Sequence, residues 1–147
     1  DAPIREDIRD IAVALGNIQL DTQNNTYKLP SLVTFLEMYD VGKTEHLNSM
    51  TRWMENDPTK TLEAPVGVDS LGGLFKLDLH EKFHGPHGLV AGMTGSGKSE
   101  FIMTYILSLA VNYHPDEVAF ILIDYKGGGM AKSFESLPHI AGIITKK

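Results

Sequence analysis

Apolar and polar positions recur at two different periods along this chain, and the change of period marks where helices give way to strands. Near the start, Pro3 suits a first helical turn, Ile4, Ile8, Ile11 and Leu15 recur at helical spacing, and Gly16 can end the helix. Residues 17–20 then read as a short strand, and the polar stretch 21–28 with its Asn24-Asn25 pair as a loop. Pro30-Ser31 opens a second helical pattern through Leu32, Phe35, Leu36 and Tyr39, closed by Gly42. Thr44 can cap a third helix, presenting Leu47, Met50 and Met54. Trp53 with Met38, Met50 and Met54 admits two readings, an adaptable binding face or core, and apolar residues at helical spacing favour core.

From Pro65 the period falls to two. Val66 and Val68, then Phe75, Leu77 and Leu79 alternating with Lys76 and Asp78, flank Gly72-Gly73 and predict a hairpin. The apolar run 88–91 reads as a strand leading into a glycine-rich segment. Phe101, Ile102, Tyr105, Ile106 and Leu109 mark a helix that stops by His114-Pro115. Residues 118–123, almost wholly apolar and partly β-branched, predict a strand buried in a parallel sheet. Strand, loop, helix and strand in that order make a βαβ unit.

Composition narrows the class. The 147 residues suffice for one compact domain with an appendage, and 42% hydrophobic with 22% charged residues is a globular mixture. The formal net charge of -6, with no run of Lys or Arg, argues against nucleic acid as a direct ligand. The absence of cysteine excludes a disulfide scaffold, thiol catalysis and thiolate metal sites, and agrees with a reducing compartment. No apolar run approaches the roughly 20 residues that cross a bilayer, and residues 1–10 do not resemble a signal peptide.

The strongest chemical signal is Gly92-Met93-Thr94-Gly95-Ser96-Gly97-Lys98-Ser99, a match to the phosphate-binding loop G-x-x-x-x-G-K-[ST] between a predicted strand and a predicted helix. At ordinary residue frequencies a chance match arises in roughly one of a couple of hundred chains this long, so the pattern with its flanks outweighs a mere glycine-rich turn. Glycines let the backbone wrap closely around phosphates, and the helix N-terminus behind them favours anions. Lys98 is expected to reach the β- and γ-phosphates, and the Ser99 hydroxyl to help hold Mg²⁺.

Three neighbouring features keep two readings each. Asp124 closes the apolar run Ile121-Leu122-Ile123 as a metal-linked Walker B carboxylate does, but Tyr125, Lys126 and three glycines follow it instead of a second carboxylate. The residues leave open whether Asp124 serves a metal or orders the Lys126 loop. Glu100 is either a nucleotide-side group or an acidic residue stabilising a helix's first turn, and the physics favours the second. His80, His84 and His87 invite a metal site, but Gly85-Pro86 forbids a three-histidine helix face, which favours a histidine-lined turn.

The run from His80 through His84-Gly85-Pro86-His87-Gly88-Leu89 into Gly95-Ser96-Gly97-Lys98-Ser99-Glu100 resembles the FtsK/SpoIIIE family. Within that family it is similar to the membrane-anchored ATPases of type VII secretion systems, and most like the first of their tandem ATPase modules. Asp124-Tyr125-Lys126-Gly127-Gly128-Gly129-Met130 and Leu137-Pro138-His139-Ile140 continue the resemblance, and Leu36-Glu37-Met38-Tyr39, Arg52-Trp53 and Pro65-Val66-Gly67-Val68 agree with it upstream. Asp-Tyr-Lys and the Gly-Lys-Ser-Glu ending favour the secretion branch over the DNA-pumping branch, where Asp-Pro-Lys is usual. Met93 stands where Thr is common, and Lys146-Lys147 departs from the family pattern.

The resemblance implies a RecA-like P-loop NTPase fold of the α/β class, a parallel sheet with helices on both faces, incomplete within these residues and preceded by helices and a small hairpin. Residues 1–60 would form a helical segment or linker, and 61–147 the N-terminal part of the ATPase domain. It implies ATP and Mg²⁺ as cofactors, Lys98 as the catalytic residue, Gly92, Met93, Thr94, Gly95, Ser96, Gly97, Lys98, Ser99 and Glu100 as nucleotide contacts, and Ser99 as the metal residue. Asp124 and Lys126 are secondary candidates.

Implied partners are adjacent ATPase modules and like subunits in a homo-hexamer, other membrane components of the secretion system, and secreted proteins reached through other modules. The implied place is the cytoplasmic side of a bacterial membrane. In such motors the strand with paired Asp and Glu comes later than Asp-Tyr-Lys, so this chain is expected to bind ATP and to hydrolyse it poorly by itself. Two rival readings are a nucleotide-sensing assembly module with little hydrolysis, and a DNA translocase, which the acidic charge disfavours.

Overall fold

In a computed structural model that describes residues 31–126 and 129–146, the period-two segment folds as two antiparallel strands, β1 (Glu63–Val68) and β2 (Leu74–Asp78). Glu63 pairs with Asp78 and Val68 with Leu74, with a register shift between Pro65 and Gly67. The connecting loop is built on Asp69, whose Oδ1 accepts from Leu71 N (2.8 Å) and Gly73 N (2.9 Å), while Gly72 takes φ +81°. The helical patterns of residues 3–15 and the strand and loop readings at 17–28 lie outside the described residues.

The helical stretch before the hairpin differs from its prediction. Helix α1 (Phe35–Met38) starts at Thr34, not at Pro30-Ser31, because Thr34 and Glu37 form a reciprocal capping box: Glu37 N donates to Thr34 Oγ1 (3.3 Å) and Thr34 N to Glu37 Oε2 (2.8 Å). Asp40, at φ +54°, stops it before Gly42. A 3₁₀ turn follows at Thr44–Leu47, and Asn48 at φ +52° leads into α2 (Ser49–Glu55). Met38 is core, but Met50 and Met54 are 68% and 79% exposed, contrary to the core reading. Met50 and Met54 stack one turn apart at the solvent edge of α2, while the half-buried positions are Ser49, Arg52 and Trp53, the last hydrogen-bonded to the central helix.

That central helix is α3 (Lys98–Asn112). It packs on two sides. Ile106 meets Leu122, Ala131 and Phe134 in one cluster, and Leu109 and Tyr113 meet Ala64 of the hairpin in another, with Phe120 packed against both. Each large apolar side chain buried in this way contributes about 1.5–3 kcal/mol. The fully buried Ala64 lets the β1 backbone approach α3 closely.

Strand β3 (Phe120–Asp124) pairs in parallel with β4 (Ile140–Thr145) across the short helix α4 (Gly129–Lys132). Two predictions are corrected here. Residues 88–91 join no ladder among the described residues, where the parallel pairing is that of β3 with β4. And β3 is buried on one face only: Leu122 is 8% exposed, whereas Ile121 and Ile123 are 68% and 57% exposed, since only the Leu122 face meets α3 and α4. The crossover unit with paired strands is therefore β3–α4–β4, and β4, with its Ile140 and Ile143-Ile144, is a strand the sequence reading did not assign.

The carbonyls at the C-terminal end of α3 are satisfied by the N-terminal segment. An α-helix leaves its last four C=O groups without intrahelical donors. Here Tyr113 N reaches Leu109 O (2.9 Å), Trp53 Nε1 reaches Ala110 O (2.9 Å), and Asn56 Nδ2 reaches Asn112 O (2.9 Å). Asn112 Nδ2 in turn donates to Tyr39 Oη (2.8 Å), which also bonds the fully buried Ser108 hydroxyl, and Arg52 stacks over the Tyr39 ring. The Trp53 ring stands edge-on to His114 and His139, and buried His139 donates Nε2–H to Tyr113 O (2.7 Å). Trp53→Phe keeps a ring there but leaves Ala110 O without its donor, so a loss of about 1–3 kcal/mol in denaturant unfolding is expected.

Asp78 ties the end of the hairpin to the turns on either side. Burial pushes its carboxyl up, but hydrogen bonds from Thr61 Oγ1 (2.6 Å), His80 N (2.9 Å) and Leu62 N (2.8 Å) outweigh burial and hold it below the usual carboxylate value. A depressed folded value means that the stabilisation is complete above the unfolded value of 3.8 and is lost as pH falls through the folded one. Wild-type melting temperature should therefore drop through that acidic window. Asp78→Asn should melt lower at neutral pH, by about 1.5–3 kcal/mol of stability, and lose that part of the pH dependence.

Candidate functional site

Between residues 88–91 and α3 the glycine-rich loop is shaped by three glycines with separate jobs. A Cβ on Gly92 would lie 2.5 Å from Ser96 Oγ, so a side chain there would force the Ser96 hydroxyl out of its present position over the loop. Gly95 and Gly97 take φ +80° and +88°, the left-handed region where a side chain is strained. Ser96 N donates to Met93 O (3.2 Å), while the Met93 side chain stands in solvent, so Met93 serves through its backbone.

Gly97 is the N-cap of α3 and offers no side chain to the first turn. The first N–H groups of the helix thus lack both an intrahelical acceptor and a capping one, and they face outward at the positive end of a 15-residue dipole. This is the arrangement that binds anions at helix N-termini. Glu100 sits in the same exposed first turn.

Lys98 Nζ donates to Gly92 O (2.7 Å) and Met93 O (2.6 Å), folding the ammonium back over the loop. A depression of about 340 Å³ is lined by Thr94, Gly95, Gly97, Lys98, Ser99, Glu100 and Lys126. A second, of about 380 Å³, adds Asp124, Val90, Ile102, Gly129 and Met130 to Lys98, Ser99 and Lys126. The fold therefore brings both secondary candidates, Asp124 and Lys126, to the loop. Asp124 Oδ1 accepts from Lys126 N (3.0 Å), the contact of a carboxylate that orders its own turn. Gly129 and Met130 had no assigned role, and the only signal for them was their place beside the glycine run after Lys126.

Two of the three histidines, His80 and His84, are used by the backbone. His84 Nδ1 accepts from Asp78 N (3.0 Å); His80 accepts at Nδ1 from Lys82 N (3.2 Å) and donates from Nε2 to Thr59 O (3.0 Å). Among the described residues no three His, Cys, Asp or Glu side chains converge as a metal site. A larger cavity of about 630 Å³ lies between the N-terminal segment and the hairpin, away from the loop, lined by mixed charges such as Glu37, Arg52, Glu63 and Lys76.

A phosphate-binding loop opening a helix beside the end of a parallel strand defines the class: a P-loop nucleoside-triphosphatase fold of the α/β type, with a two-stranded parallel ladder in the described residues. The FtsK/SpoIIIE family model matches residues 42–146, and the chain belongs to that family.

The type VII secretion system protein EssC of Staphylococcus aureus (strain NCTC 8325 / PS 47) is 53% identical over 135 residues, 92% of this chain and 9% of EssC. The ESX secretion system protein YukB of Bacillus subtilis (strain 168) is 52% identical over 120 residues, 82% of this chain and 8% of YukB. Among solved structures, the cytoplasmic domain of the Thermomonospora curvata type VII secretion ATPase EccC superposes with a TM-score of 0.68 at 34% identity, over 78% of this chain and 14% of that one. The chain thus spans about a tenth of the length of the curated relatives it matches. No helix among the described residues is long and apolar enough to cross a membrane.

The loop geometry makes a stability prediction. Gly97→Ala puts a Cβ into the left-handed region at φ +88° and should cost about 1–2 kcal/mol in urea unfolding. Gly42→Ala, which meets nothing within 4 Å and needs no positive φ, should stay within about 0.5 kcal/mol of wild type.

Proposed function

We propose that residues 92–99 hold the phosphate chain of Mg-ATP, and that the chain is the nucleotide-binding part of a motor ATPase powering type VII protein secretion. The observation that carries this reading is the first turn of α3, where uncapped N–H groups, Lys98 and Ser99 meet behind Gly92, Gly95 and Gly97. Loop N–H groups and the Lys98 ammonium suit the inner and terminal phosphates, and the Ser99 hydroxyl would help hold Mg²⁺ beside them. When bound, Mg²⁺ neutralises charge on the phosphate oxygens. The relatives' names supply the context of secretion.

In this reading the β3–β4 ladder is the start of a RecA-like sheet with helices on both faces. The motor works in contact with neighbouring ATPase modules, like subunits and membrane components of the secretion system, on the cytoplasmic side. Asp124 orders the Lys126 turn, and no second carboxylate stands next to it in sequence to polarise water. Binding and turnover therefore separate. Titration calorimetry on the full chain should show Mg-ATP binding that Lys98→Ala weakens at least tenfold, with little phosphate release in either case. Absence of binding at millimolar Mg-ATP would overturn the assignment.

A further inference from the structure

Two lysines, not one, face the phosphate loop. Lys98 comes from the first turn of α3 and Lys126 from the turn after β3, and both line both depressions beside the loop. Their situations differ. Lys98 donates to Gly92 O and Met93 O. Lys126 is anchored through its backbone, by Asp124 Oδ1 at 3.0 Å, while its exposed side chain enters none of the ion pairs among the described residues, which are Lys60–Asp57, Lys76–Glu63 and His114–Asp116.

An ordered backbone carrying an uncommitted ammonium to the wall of a depression beside the phosphate loop is a prepared point charge. Its position gives the charge a target. Lys126, Lys98 and Ser99 are the three residues that line both the loop-side depression and the one at the end of β3. A polyphosphate held at one end by the loop N–H groups must carry its last phosphate toward one of these walls. Glu100 lines the loop-side depression and Asp124 the strand-side one, so the charge that Lys126 offers is contested on either side by one carboxylate. A ligand with more negative charge at its free end competes better for it.

We propose that Lys126 is a second phosphate-directed cation, which pairs with the terminal phosphate of a nucleoside triphosphate and so makes the site discriminate triphosphate from diphosphate. This inference rests on the nucleotide reading above and adds to it which side chain reads the last phosphate. Lys98 and the loop N–H groups serve both nucleotides, and Lys126 serves the longer one.

The test is the ratio of ATP to ADP affinity, each with Mg²⁺, by titration calorimetry on the full chain. Lys126→Ala should weaken ATP at least tenfold and ADP less than threefold, and Lys126→Arg should restore ATP to within threefold of wild type. Lys98→Ala should weaken both nucleotides. An unchanged ATP to ADP ratio in Lys126→Ala, with wild type binding both, overturns the role of Lys126 and leaves the nucleotide site standing. Wild type binding neither nucleotide overturns both readings. Lys126→Gln, which keeps most of the length without the charge, replaces the alanine variant if that one melts early; if both lose the fold, Lys126 is structural and the proposal fails.

Discussion

Everything in this structure hangs on one helix whose two ends are treated in opposite ways. An α-helix always leaves orphan N–H groups at its start and orphan C=O groups at its finish. At the finish of α3, Tyr113, Trp53 and Asn56 satisfy three of those carbonyls with donors from the following residue and from α2 and its C-cap. At the start, Gly97 supplies no side-chain cap, and the orphan donors are left open at the exposed end beside the glycine loop. Buried polar groups are mostly paired in a folded chain, and here Tyr105 Oη and His139 Nδ1 are the buried side-chain atoms left without a partner among the described residues. A fold can leave polar groups unpaired at its surface where a ligand is to pair them, and the contrast between the two ends of α3 separates structure from function in one element.

The same helix explains why the N-terminal segment folds as it does. Residues 35–38 and 49–55 are too short to be stable helices alone, since nucleation costs more than one or two turns return. They hold because Tyr39, Trp53 and Asn56 are bonded to Ser108, Ala110 and Asn112. A 15-residue helix is a stiff rod about 22 Å long. It joins the loop at one end to these contacts at the other, so the segment that looks like an appendage in sequence is seated on the same body as the phosphate loop.

What the sequence disclosed and what it hid follow from the range of the forces involved. The hairpin, α3, the loop and the position of β3 are set by local periodicity and by glycines with required φ values, and these can be read from neighbours in the chain. The side chains that cap α3 cannot. Trp53 looks like a core residue among methionines, and its role as a donor to Ala110 O depends on a contact 57 residues away. Met50 and Met54 were misread for the same reason: spacing shows that two residues share a helix face, but only packing decides which face is covered. The run 88–91 has strand composition but lacks a paired neighbour, and pairing is a property of two segments. Asp124 shows the limit from the other side: its residue pattern fits both a metal-linked carboxylate and a loop-ordering one, and the fold adds a contact that no local pattern gives, Oδ1 accepting from Lys126 N beside the depression that Lys98 and Ser99 line.

Charge, too, has a range, and the site shows why the whole-chain value misleads about small anions. The formal charge of -6 is a sum over 147 residues, and it bears on how the surface meets a large polyanion such as nucleic acid. A phosphate group is smaller than the screening length of about 8 Å at physiological salt, so it responds to the few charges and dipoles around it. Around this loop those are the start of α3, Lys98 and Lys126, against Glu100 and a carboxylate already engaged with the backbone. A net-acidic chain can therefore present a locally positive loop, because distant carboxylates are screened from it while the helix dipole and two ammonium groups are not.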